Sequence, residues 1–202
     1  MFYGTKWFYK VLYFITAMSP AYFLFLLQID DKFKHPFKMK WNVKIATIDL
    51  NIYWWCGILF LILMLCILIL RILLIKQYTS PSTNQVLSLN RETFEEDELE
   101  ERNGNVISFL LGNILPAVLI IEGNLFVAII IFITIQMLIY VLIMKSTDIF
   151  PNIALIILGI NLCKTKDNKY VFTFKSKKFE DFKVYQLGNP EKSKIYITMY
   201  EK

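Results

Sequence analysis

Four stretches without a single Asp, Glu, Lys or Arg constrain this chain more than any other feature. They cover residues 11–29, 50–70, 103–121 and 123–144, with lengths of 19, 21, 19 and 22 residues. A helix rises about 1.5 Å per residue and the hydrocarbon layer is about 30 Å thick, so each run can cross a bilayer once. The hydrophobic content of 56% exceeds what a soluble core and surface require. The expectation is an all-α transmembrane four-helix bundle with spans of about 11–29, 52–75, 105–121 and 124–144. A short extracytoplasmic β element and a small C-terminal cytoplasmic β-rich module complete the predicted fold.

A fifth apolar run, 149–163, would extend only about 22 Å as a helix and contains Pro151 and Gly159, so it is not expected to cross. Lys6 and Lys10 precede the first run in the manner of a secretory signal. The apolar stretch nevertheless continues through Leu27 without an A-x-A-like cleavage site, which reads as a retained anchor.

Charge sets the expected orientation. Four spans put both termini and the 71–104 connection on one side, which collects 17 of the 22 Lys and Arg residues. The positive-inside bias then makes both termini cytoplasmic. Phe2, Tyr3, Trp7, Phe8 and Tyr9 around Lys6 and Lys10 form an interfacial anchor, and Tyr53-Trp54-Trp55 an outer aromatic belt. In the outer connection, Phe37, Met39, Trp41, Val43 and Ile45 alternate with Lys38, Lys40, Asn42 and Lys44. Period two predicts a strand over 37–45 with one apolar and one basic face. Lys38, Lys40, Trp41 and Lys44 are therefore candidates for sensing the outer face, against the simpler reading of a soluble cap on the helices.

The runs themselves are poor in chemistry. They lack the mid-span charges that couple proton-driven transport. Asn113, Thr134 and Gln136 are expected to hydrogen-bond between helices, and Glu122-Gly123-Asn124 to close a tight helical hairpin. Pro20 and Pro116 lie midway along the first and third runs and are candidate hinges, since each removes an amide donor and clashes with the preceding turn.

The division predicted is a membrane domain over 1–146 and a module over 147–202. In the latter, Tyr170, Phe172 and Phe174 alternate with Val171, Thr173 and Lys175, and Ile195, Ile197 and Met199 with Tyr196, Thr198 and Tyr200. Two strands are expected there, with 159–164 as a further one. So small a sheet needs a surface to pack on.

Seven acidic residues fall between Glu92 and Glu101 in a chain of net charge +5. Thr93 and Glu96 have capping-box spacing, Glu98 and Arg102 are four apart, and Asn103-Gly104 can end a helix, so an inner acidic helix is expected over 94–102. Glu95, Glu96, Asp97, Glu98, Glu100 and Glu101 then have three possible uses. They form a solvated face, pair with the chain's own lysine-rich tail, or dock a separate cytoplasmic protein.

Catalytic material is scarce. Cys56, Cys66 and Cys163 make no C-x-x-C pair, and His35 is the single histidine. There is no P-loop, G-x-G-x-x-G, G-x-S-x-G, H-E-x-x-H or D-x-D-x-D-G calcium loop. Neither an enzyme, a cofactor, a metal site, a small-molecule substrate nor direct nucleic-acid binding is expected.

The assembled architecture, with SPAYFLFLL at 19–27, SFLLGNILP at 108–116 and PNIALIILGINL at 151–162, resembles the KwaA family, the membrane component of the Kiwa antiphage defence system. The resemblance implies a homo-oligomer, a tetramer, in the bacterial inner membrane that responds to phage attachment or envelope disturbance. It also implies a cytoplasmic partner, KwaB, which binds DNA and blocks phage replication or late transcription. It places no individual site residue. Two other functions fit the same apolar runs, a pore-forming effector that depolarises the cell and an accessory subunit of another membrane complex.

Overall fold

The computed structural model describes residues 2–43, 46–79, 99–118, 124–174, 184–189 and 191–198. Two helices open the chain, α1 (Trp7–Ala17) and α2 (Ser19–Lys32), followed by the antiparallel hairpin β1 (Met39–Val43) and β2 (Ala46–Leu50). Next come α3 (Ile52–Thr79), β3 (Leu99–Arg102), α4 (Val106–Val118) and α5 (Leu125–Lys145). A five-residue helix, α6 (Ile153–Ile157), leads into β4 (Ile160–Thr165), β5 (Tyr170–Phe174), β6 (Val184–Gln186) and β7 (Ile195–Thr198).

The all-α four-helix bundle is not what forms. Among the described residues two helices, α3 with 28 residues and α5 with 21, are long and apolar enough to cross a membrane. The bent pair α1 and α2, with 51° between them, makes a third if it counts as one span. Counting uncharged residues treats each run as one straight rod, whereas Ser19-Pro20 breaks the first and Asn103-Gly104-Asn105 takes the opening of the third. The 13 residues of α4 rise only about 20 Å.

The sheet is the second correction. Its five strands run in the order β3-β4-β5-β7-β6, antiparallel except for the parallel pair β5 and β7. One strand, β3, comes from the acidic segment ahead of α4, so the sheet is not built from the C-terminal module alone. One hydrophobic cluster joins Tyr13 and Met18 near the helix break, Leu70 and Leu74 of α3, and Phe172 and Ile197 of the sheet. Such a sheet gains independent stability by burying a face, and this one buries it on the helix ends.

The helices have two distinct ends. At one, Gly4 O accepts the Asn189 N–H at 3.0 Å and the Tyr78 ring meets Tyr185 edge-on, which ties the start of the chain and the end of α3 to the sheet. Gly4 (φ +78°) and Gly188 (φ +101°) permit that approach, because a Cβ on Gly188 would lie 2.5 Å from Gly4 O. At the other end Phe33, Phe37 and Leu125 of α5 pack against one cluster that includes Phe25, Ile29 and Phe132, and Trp55 Nε1 donates to Phe37 O at 3.1 Å ahead of the β1–β2 hairpin. Between the ends, Phe25 stacks on Phe132 with 3.8 Å between centroids. Leu61, Ile62, Leu65 and Ile72 of α3 and Met137, Leu138 and Leu142 of α5 point outward and exposed. An apolar surface this continuous suits lipid rather than water.

Candidate functional site

A densely bonded polar cluster lies where α1 stops. Pro20 sits in the first turn of α2, and its ring would collide with the Thr16 carbonyl if the helix continued straight. The chain turns at Met18 instead. Thr16 Oγ1 donates within its own helix, at 2.8 Å to Leu12 O and 3.0 Å to Tyr13 O. Asn152 fills the opening: its Nδ2 donates to Thr16 Oγ1 at 2.8 Å and to Tyr13 O at 3.2 Å. Its Oδ1 accepts the Leu155 N–H at 3.2 Å and caps α6. The Tyr13 hydroxyl donates to Phe150 O. Thr16 and Asn152 are both buried, and in a site shielded from water such a network orients its members firmly.

The acidic segment meets this cluster from the sheet side. Asn103 (φ +59°) and Gly104 (φ +78°) are successive left-handed residues that swing the chain from β3 into α4. The Asn103 N–H donates to Leu162 O at 2.8 Å, its Oδ1 accepts the Leu162 N–H at 3.0 Å, and its Nδ2 donates to Asn161 Oδ1 at 2.8 Å. Glu101 Oε2 accepts the Ile149 N–H at 3.4 Å, and Glu100 Oε2 pairs with Lys164 Nζ at 2.9 Å. Hydrogen bonding to Glu100 is the main reason that the Lys164 pKa is raised, against the opposing effect of burial. A cavity of about 10 Å³ among Tyr13, Asn103, Asn152 and Leu155 holds at most one water. The helix break, the segment 149–152 and the acidic edge strand therefore form one packed junction.

Not all of the anticipated residues fall here. Glu100 and Glu101 belong to β3, not to a helix: residues 99–102 pair with β4, and that ladder outweighs the helical i,i+4 spacing of Glu98 and Arg102. Glu95, Glu96, Asp97 and Glu98 lie outside the described residues. So does Lys44. Lys38 is exposed just before β1, while Lys40 and Trp41 lie in β1 with side chains outside the description. Pro20 is at the bend, but α4 runs through Pro116 without a break.

The mid-helix polar groups divide. Thr134 bonds back to Ile130 O at 2.8 Å on an exposed face. Asn113 and Gln136 are buried, at 0% and 7% exposure. Among the described residues Asn113 Oδ1 and both polar atoms of the Gln136 side chain have no partner. His35 Nδ1 lies 2.8 Å from the buried Asp30 carboxylate at the hairpin end. Among the described residues no group of His, Cys, Asp and Glu could hold a metal ion.

A family model described as anti-phage protein KwaA matches residues 9–197, from α1 through β7. The chain belongs to the KwaA family. No curated protein and no solved structure matches it. Membership places the chain in anti-phage defence, and the KwaA match takes in helices, acidic segment and sheet together. That agrees with the single core joining them.

Proposed function

We propose that this KwaA-family chain is a membrane-embedded sensor and scaffold with no chemistry of its own. The β1–β2 hairpin registers disturbance of the envelope on the outer side, as when a phage attaches. The sheet lies in the cytoplasm, with both termini, and holds a DNA-binding effector, KwaB. The observation that carries this reading is the junction itself. Asn152, Thr16 and Tyr13 tie the bend in the first helix pair to the segment 149–152, whose Ile149 N–H bonds Glu101 of β3, so a change of that bend reaches the acidic edge strand through hydrogen bonds joined by this short stretch of backbone.

Lysines concentrated in the sheet and tail favour the inner side of a bacterial inner membrane. The exposed apolar faces of α3 and α5 favour lipid and further copies of the chain. A homo-oligomer of four is what the family resemblance implies. Glu95, Glu96, Asp97 and Glu98 lead directly into β3, an edge of the sheet, and are the docking residues in this account. Charge reversal of these four, followed by co-purification with KwaB in mild detergent, tests it. A large loss of partner is expected, and an unchanged yield removes them from the interface.

One observation favours a pore-forming effector as a second reading: the unpartnered amide of Gln136, buried within a long apolar helix. Potential-sensitive dye traces after induced expression separate the two, because a scaffold leaves the membrane potential intact.

A further inference from the structure

An unassigned groove of about 660 Å³ lies between α4 and α5 and reaches the junction at Ile149 and Phe150. Leu111 of α4 and Ile135, Ile139, Leu142 and Ile143 of α5 form its walls. Gly112 forms part of the floor, and its missing side chain lets the Phe150 ring close the end, since a Cβ there would lie 2.6 Å from that ring. From Ile135 to Lys145 the groove follows α5 for about 15 Å, half the thickness of the hydrocarbon layer. That is the depth of one leaflet.

Its mouth is chemically different. Lys145, the last residue of α5, and Asp148, just beyond it, both line the opening and are exposed. Neither has a salt-bridge partner among the described residues. One cation and one anion therefore border a slot whose interior is apolar, at the level where a helix leaves the hydrocarbon.

We propose that this groove is a binding site for a phosphatidylethanolamine molecule of the adjoining leaflet. One acyl chain lies along Ile135, Ile139 and Leu142, the phosphate meets the Lys145 ammonium, and the lipid's primary ammonium donates to the Asp148 carboxylate. The pairing selects the headgroup. An anionic phosphatidylglycerol satisfies Lys145 and leaves Asp148 facing like charge, while the quaternary nitrogen of phosphatidylcholine has no proton to donate. Gaining or losing one exposed ion pair corresponds to about a fivefold change in affinity at the upper end of what such pairs contribute. The bound lipid adds a leaflet contact at the sheet end of the molecule; that this leaflet is the inner one rests on the orientation proposed above.

Native mass spectrometry of the full chain, released from nanodiscs holding equal amounts of the three lipids, tests this. The expected result is one retained phosphatidylethanolamine per chain at about fivefold preference over each competitor. The double variant K145Q/D148N should retain lipid without preference, and I139W, which fills the groove, should retain none at that position. Equal retention of all three lipids by the unaltered protein overturns the proposal without recourse to any variant. So does an unchanged preference in K145Q/D148N, or a lipid-free groove closed by a second copy of the chain.

Discussion

Asn152 Nδ2 donates to Thr16 Oγ1 at 2.8 Å, joining residues 136 positions apart where the N-terminal helix pair bends by 51°. The contact is buried and the same amide also serves the Tyr13 carbonyl. Replacing Asn152 by Ala strands these acceptors and uncaps α6. A loss of about 1–3 kcal/mol is expected from groups left unsatisfied away from water. Thermal unfolding in detergent should show a lowered midpoint, and signalling to the effector should fail even at temperatures where the variant is folded. A variant with normal stability and normal defence would remove the junction from the account.

Gly112 gives a sharper packing test. A methyl group there meets the Phe150 Cε2 and Cζ atoms at 2.6 and 2.7 Å. G112A should destabilise by about 1–3 kcal/mol through overpacking. Phe150→Leu in the same chain should recover part of that loss, a coupling that only direct contact produces. Additive effects of the two substitutions would place the ring elsewhere.

The Glu100–Lys164 pair predicts a pH dependence at the alkaline end. The partner raises the Lys164 pKa above its ordinary 10.5, so the folded state favours the protonated amine. Its stabilisation is complete below pH 10.5 and is lost as pH rises through the folded value. Glu100 is half-exposed, which limits the pair to about 1 kcal/mol. Glu100→Gln should be less stable than the parent by that amount near neutrality, and the two curves should converge in strong alkali. Parallel curves throughout would mean that the ion pair contributes nothing.

Gln136 separates scaffold from pore. Replacing a buried, unpartnered amide by Leu removes a desolvation penalty, so Q136L should be as stable as the parent or more so, with defence intact. A pore lined by that amide would lose conduction, and with it protection. Survival of phage-challenged cells expressing Q136L decides between them.

How much of this was legible in the sequence differs from element to element. The period-two patterns coincide with β1, β5 and β7, although β5 and β7 are buried on both faces and their apolar and β-branched content is as much a strand signal as the alternation. The bend at Pro20 was legible for an equally local reason, the missing donor and the ring. The acidic strand was not. Arg102 stands at helical spacing from Glu98, and only β4, about sixty residues later in the chain, supplies the ladder that makes 99–102 a strand. The parallel pairing of β5 with β7 is likewise a matter of long-range partners.

The junction was hidden more deeply. In the sequence Asn103-Gly104 has the look of a helix stop, and Pro151 only marks the fifth apolar run as unfit to cross. Asn103 and Asn152 are bonding groups at one point in space, and the only available signal was an asparagine on each side of the apolar hairpin. The four-span count failed because charge-free length measures solubility in lipid, not straightness or depth.

The central claim is that the hairpin and the sheet lie on opposite faces of the membrane, with the sheet inside. In a cysteine-free background, Lys38→Cys before β1 and Asp167→Cys in the β4–β5 turn place one thiol at each exposed site. A membrane-impermeant maleimide applied to intact spheroplasts should label the first at once and the second only after the membrane is permeabilised. Immediate labelling of Cys at position 167 would put the sheet outside and contradict the account.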